Sequence, residues 1–196
     1  MATAAAAIGA ATAAAWLGLS ALQEPMGLAA FLVAWTTMMV AMMLPSIAPL
    51  VLLYRGSRAR LALGYVLVWG ALGVVPWMLM EGGFDPALPL VLALAGAYEL
   101  TPLKTACLQR CRHAADFLIA RYRSGPVRLG AEHASWCVGC CVGLMAVLVL
   151  AAAMELRWAA LLAAVVFLQK AMPLGEISAR ATGVLLVLLG FGIMVA

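Results

Sequence analysis

The sequence predicts an all-α fold, a polytopic bundle of about seven transmembrane helices. Three observations predict it: an extreme apolar content, repeated apolar runs near bilayer length, and basic residues gathered in alternate loops. The chain has 196 residues, 67% hydrophobic and 10% charged, with mean hydropathy +1.09. A soluble domain is about half apolar and about a quarter charged. A water-soluble fold of this length has too much surface to hide so much apolar area. Lipid must therefore be the solvent for much of it. A net charge of +4 and a pI near 9.0 would suggest nucleic acid in a soluble protein. Here the excess reads instead as a positive-inside signature, and no nucleic-acid partner is expected.

An apolar run of about 20 residues can cross the bilayer core. Seven are found. The first is the Ala-rich stretch Ala2 to Leu22, which lacks the basic region of a signal peptide. The next are Gly27 to Leu53, Leu61 to Met80, Ala87 to Leu103 and Ala134 to Met154. The last two, Leu156 to Met172 and Ile177 to Ala196, are short, and Arg180 must snorkel. Seven spans place Arg55, Arg58 and Arg60 on one side with Lys104, Arg110, Arg112, Arg121, Arg123, Arg128, Lys170 and Arg180, leaving only Arg157 opposite. The other loops carry Glu24, Glu81, Asp85 and Glu155. The positive-inside rule then predicts a bacterial inner-membrane protein, N-terminus cytoplasmic and C-terminus outside. Residues 1–196 read as one integral membrane domain.

Lys104 to His133 is the one substantial extramembrane segment. Leu103, Cys107, Cys111, Leu118 and Tyr122 recur at helical spacing, which predicts a cytoplasmic amphipathic helix continuing the fourth span. Ser124-Gly125-Pro126 ends it.

All five cysteines lie between Cys107 and Cys141, on or near the cytoplasmic side, where thiols stay reduced. Cys107 and Cys111 share a helix face. Cys137 and Cys140 form C-x-x-C, and Cys141 follows. Two such pairs on adjacent helices would make a soft sulfur site suited to Cu(I) or Zn(II). His113 and His133 could add nitrogen ligands. Packing is the alternative, because Cys is small, apolar and often buried.

Methionine is the second signal. Met38 and Met42 share a helix face, as do Met39 and Met43. Thioethers favour Cu(I) and are neutral, so they can line a path through lipid; they also simply fill gaps. Pro45 and Pro49 are expected to kink this helix. Glu99 is a carboxylate at membrane depth, and such groups default to a functional reading. It could neutralise a cation, relay protons, or pair with Lys170 or a Tyr hydroxyl; Lys104, five residues on, leaves direct pairing open. There is no P-loop, no HExxH, no dinucleotide fingerprint and no suggestion of a hydrolase triad, so an enzyme is not the favoured reading.

Three segments carry a family resemblance. They are Trp35-Thr36-Thr37-Met38-Met39-Val40-Ala41-Met42-Met43-Leu44-Pro45, then Tyr98-Glu99-Leu100-Thr101-Pro102-Leu103-Lys104 with Cys107 and Cys111, then Trp136-Cys137-Val138-Gly139-Cys140-Cys141 with Leu144-Met145. Together they resemble a bacterial family of uncharacterised, predicted metal-binding integral membrane proteins, some of whose members carry a copper-chaperone label. The resemblance spans about Trp35 to Pro173 and implies metal on the quoted Cys and Met positions. Two departures stand out: Val142 where the family often has Trp, and Gln169-Lys170 where it often has Glu-Lys. The residues and the resemblance together predict a Cu(I)-handling membrane protein. Its partners would be the lipid bilayer and a soluble metal carrier or acceptor, and an oligomer is compatible. The rival readings are a membrane thiol-disulfide oxidoreductase using Cys137 and Cys140, and a scaffold subunit in which Cys and Met only pack.

Overall fold

The computed structural model describes residues 2–19, 27–83, 86–150 and 155–195. Glu24 and Asp85 lie outside the described residues, as do the expected span ends at positions 20–22, 151–154 and 196. The described chain is helical without strands. Its order is α1 (Ala2–Leu19), α2 (Leu28–Leu53), α3 (Arg58–Leu72), α4 (Val74–Glu81), α5 (Leu88–Glu99), α6 (Pro102–Arg112) and α7 (Ala114–Arg121). A 3-10 turn (Tyr122–Ser124) then leads to α8 (Pro126–Leu150), α9 (Leu156–Ala171) and α10 (Gly175–Val195).

By length and composition, Leu28–Leu53, Arg58–Glu81, Pro126–Leu150 and Gly175–Val195 can cross a membrane. Thr3–Leu17 and Leu88–Glu99 are apolar but shorter. Four stretches are thus long and apolar enough to cross, where the sequence predicts seven spans. Two physical reasons are visible. The bend at Leu100 and Thr101 before Pro102 ends α5 early, since proline disfavours helix in the residue before it. Helix α9 has 16 residues, so it is only about 24 Å long.

The chain folds as two compact units. The first holds Met1–Glu81 with His113–Ser135, the second Gly82–Arg112 with Trp136–Ala196. In the first, α2 packs against α1 and α3. Its helix runs unbroken through Pro45 and Pro49, and the Ser46 hydroxyl bonds the Met43 carbonyl at 2.7 Å. Arg58 closes the end of α2: its Nε donates to the carbonyls of Val51 (3.1 Å) and Tyr54 (3.2 Å), its Nη2 to Leu52 (3.3 Å). A cation on exposed C-terminal carbonyls also suits the helix dipole. Trp35 ties α2 to α3, its Nε1 donating to the Trp69 carbonyl at 2.7 Å.

In the second unit, α5 and α10 lie in close contact. Glycine permits this approach: a Cβ on Gly96 would lie 2.6 Å from the Gly183 carbonyl oxygen, closer than real Cβ atoms come. Small residues at a helix crossing let the two backbones approach closely. The expected single amphipathic helix is instead two. His113 leaves helical geometry (φ −91, ψ 61) between α6 and α7. The buried residues are Lys104, Cys107, Leu108 and Cys111 on α6, then Ala114 and Phe117 on α7. Leu103 and Tyr122, expected on that stripe, are 60% and 50% exposed.

Candidate metal site

Helix α8 turns its cysteines inward by simple periodicity. Residues at i, i+3 and i+4 share a face, and Cys137, Cys140 and Cys141 are all buried. Their three sulfurs lie within 4.8 Å of one another. Helix α6 adds a fourth thiol. Cys140 Sγ stands 3.6 Å from Cys111 Sγ and 3.4 Å from Cys141 Sγ. The Cys140 thiol also donates to the Cys137 carbonyl at 3.2 Å.

Cys107, one turn before Cys111, takes a different place. It is buried, and its sulfur fills the notch left by Gly139, where a Cβ would come within 2.7 Å of it. The carbonyl of Gly139 accepts from the Tyr98 hydroxyl at 2.5 Å. The C-x-x-x-C pair of α6 is therefore split: Cys111 joins the thiols of α8 and Cys107 packs on the backbone of α8.

Helix α9 supplies what the cysteine pattern did not announce. The Lys170 ammonium donates to Cys137 Sγ at 2.7 Å, and both groups are buried. Next to it, Gln169 enters a second network. Lys104 Nζ donates to Glu99 Oε1 at 2.7 Å, to the Cys140 carbonyl at 2.5 Å and to Gln169 Oε1 at 2.9 Å. Gln169 Nε2 donates in turn to Glu99 Oε2 at 3.2 Å. The Glu99–Lys104 pair is fully buried, 0% exposed on both sides. An ammonium has three donors, and all three of Lys104 are used. Glu99 thus pairs with Lys104 and Gln169, while Lys170, one of its expected partners, goes to a thiol.

These two networks divide the charge. A buried charge is tolerated only when paired and hydrogen-bonded. Glu99 and Lys104 cancel each other, so Lys170 is the cation that faces the sulfurs. Arg112 then holds α9 in register with α6. Its Nη1 donates to the carbonyls of Gln169 (2.7 Å) and Met172 (2.6 Å), its Nη2 to Pro173 (3.1 Å).

The remaining expected site residues belong to the first unit. Met38, Met39, Met42 and Met43 are 0–3% exposed on α2. Met39 lines a narrow apolar crevice with Val40, Leu44, Tyr65, Val66 and Trp69. The His133 ring sits 6.2 Å from that of Tyr65 and 5.2 Å from that of Phe117, centroid to centroid. His113 is the residue preceding α7. Lys104, Gln169 and Lys170 are the residues that sequence reasoning left out of the site. The sequence placed both lysines with the basic residues of the cytoplasmic side; the structure buries Lys104, Gln169 and Lys170, and each then needs a partner.

Chemically, the cluster is a sulfur-only, closed donor set with a fixed cation beside it. Thiolates without nitrogen or oxygen donors select soft ions such as Cu(I), or Zn(II). A family model described as copper chaperone, PpoB2, matches residues 32–193. No curated relative and no solved structure matches the chain.

Proposed function

The chain belongs to the PpoB2 copper-chaperone family, and from that premise we propose that it binds Cu(I) as cargo in a lipid bilayer and passes it to a protein acceptor. One observation carries this reading: thiols from two helices, Cys111 and Cys140, stand 3.6 Å apart inside a buried cluster with Cys137 and Cys141. Cys111, Cys137, Cys140 and Cys141 are the proposed ligands. Cys107 is the next sulfur along α6, one turn from the cluster.

Charge balance limits how many of these four can bind as thiolates at once. Cu(I) held by two thiolates carries one net negative charge, and the Lys170 ammonium cancels it. A near-neutral total is what a dry interior accepts. Ligation requires thiolates, so loading releases protons and affinity falls as pH drops. Transfer would proceed by exchange of one protein thiolate for a thiolate of the acceptor, with no change of oxidation state.

The thioethers of Met38, Met39, Met42 and Met43 are proposed as a separate, neutral relay in the first unit. They resemble the cysteines in softness but carry no charge that lipid would penalise. His113, His133 and Glu99 are left as supporting residues, since Glu99 already serves Lys104. The proposed topology has seven spans, N-terminus inside, in a bacterial inner membrane; the shorter helices α1, α5 and α9 would complete it beside the four long ones. The rival is an oxidoreductase using Cys137 and Cys140; labelling of Cys137 by an impermeant thiol reagent from outside would favour it.

The test is elemental analysis of the chain purified under reducing conditions. Copper should be present in wild-type protein and lost in the C137S/C140S double variant. Copper unchanged in that variant overturns the assignment.

A further inference from the structure

The cations of the second unit are almost all spoken for. Lys104 and Lys170 are engaged as described above. Arg112 binds three carbonyls, and Arg110 lies 4.3 Å over the Trp136 ring. Arg157 pairs with Glu155 at 2.9 Å. Arg180 differs. Among the described residues it has no ion-pair or hydrogen-bond partner. Glu176, one turn earlier on α10, would be its natural i,i+4 partner. That carboxylate instead accepts from Gln109 Nε2 at 3.1 Å.

Arg180 is also set in a groove. Helices α5 and α10 stay close along their glycines. The bend at Thr101 and Pro102 then starts α6, which packs on α9 and meets α10 through Gln109 and Glu176. The parting leaves a groove of about 400 Å³ lined by Leu100, Pro102, Thr105, Ala106, Gln109 and Arg180. Its floor is apolar (Leu100, Pro102, Ala106), and its polar lining is a hydroxyl, an amide and the guanidinium. It lies on the exposed side of α6, away from the buried face of Lys104, Cys107 and Cys111.

A cation with no counter-ion among the described residues, beside a groove that Leu100, Pro102 and Ala106 make partly apolar, fits one ligand class. We propose that the groove holds an anionic phospholipid, with its phosphate on Arg180 and an acyl chain along Leu100, Pro102 and Ala106. Arg is suited to this because its planar fork matches phosphate, and basic clefts between membrane helices take anionic head groups. The inference rests on the membrane reading above but not on the metal. Seated there, the lipid would brace the back of the helix that presents Cys111.

The test uses detergent-purified full-length chain exchanged into phosphatidylglycerol or phosphatidylcholine, with retained lipid counted by native mass spectrometry. Wild type should retain phosphatidylglycerol over phosphatidylcholine. R180Q should cut retention about fivefold, the worth of one basic residue at an anionic head group, and R180K should keep most of it. A106F, which fills the channel but leaves the charge, should also lose lipid. Wild-type retention in both R180Q and A106F overturns the proposal, as does displacement of the lipid by inorganic phosphate, which would mark a free-anion site. Alkaline carbonate extraction separates this from the membrane reading. Wild-type chain released to the supernatant overturns both; chain kept in the pellet with unchanged lipid in R180Q and A106F overturns the lipid site alone.

Discussion

Two regions of this chain are rich in sulfur, and they are built differently. On α2, Met38, Met39, Met42 and Met43 are buried, Met39 beside Leu44, Tyr65 and Trp69. On α8, Cys137, Cys140 and Cys141 face one another, a thiol from α6 and an ammonium from α9. The difference teaches what separates a sulfur-rich helix from a sulfur site. Packing needs volume and shape. Ligation needs convergence of donors from separate elements and a way to balance charge.

C137S/C140S should remove bound copper altogether, whereas M38L/M42L should leave equilibrium copper at the wild-type level; inductively coupled plasma mass spectrometry reads both. Equal losses in the two variants would erase the distinction between the regions.

The next largest effect concerns the buried pair beside the cysteines. E99Q or K104M leaves one buried charge without its partner, and such a change costs about 3–5 kcal/mol. Thermal unfolding in detergent should show it as a large drop in midpoint. The double variant E99Q/K104M should recover much of the loss. If the single variants unfold like wild type, the pair is not a structural unit.

K170M tests charge balance. Loss of a group that supports the ligands from outside typically costs 10–100-fold in metal affinity, so copper competition should show a drop of that order with the fold retained. K170R, which keeps the charge, should fall between. Affinity unchanged in K170M would show that the ammonium plays no part in holding the ion. In wild type, the same competition should weaken as pH is lowered, because the thiols must give up protons to bind.

Leu for Met conserves volume, so M38L/M42L should cost less than about 1.5 kcal/mol. Copper loading into vesicle-reconstituted protein should nevertheless slow if the thioethers relay the ion. A loading rate equal to wild type assigns them to packing alone.

Composition and hydropathy sufficed to predict an all-helical, strongly apolar fold, because those are sums over residues that no tertiary arrangement can change. The same holds for the face shared by Cys137, Cys140 and Cys141, which follows from helical period once α8 is a helix. Helix ends were less legible. The early stop of α5 at Leu100 and the break at His113 depend on local backbone geometry and neighbours that periodicity does not encode. The site divided in the same way. Clustered cysteines announced sulfur chemistry. Which thiol of α6 joins the thiols of α8 was decided by the approach of α6 and α8: Gly139 gives Cys107 a notch to fill, and Cys111 is left facing Cys140. That Lys170 turns to Cys137 while Lys104 takes Glu99 was likewise decided only in three dimensions. A buried charge must find a partner, and sequence says that it must, but only the packing of α5, α6, α8 and α9 determines which partner is within reach.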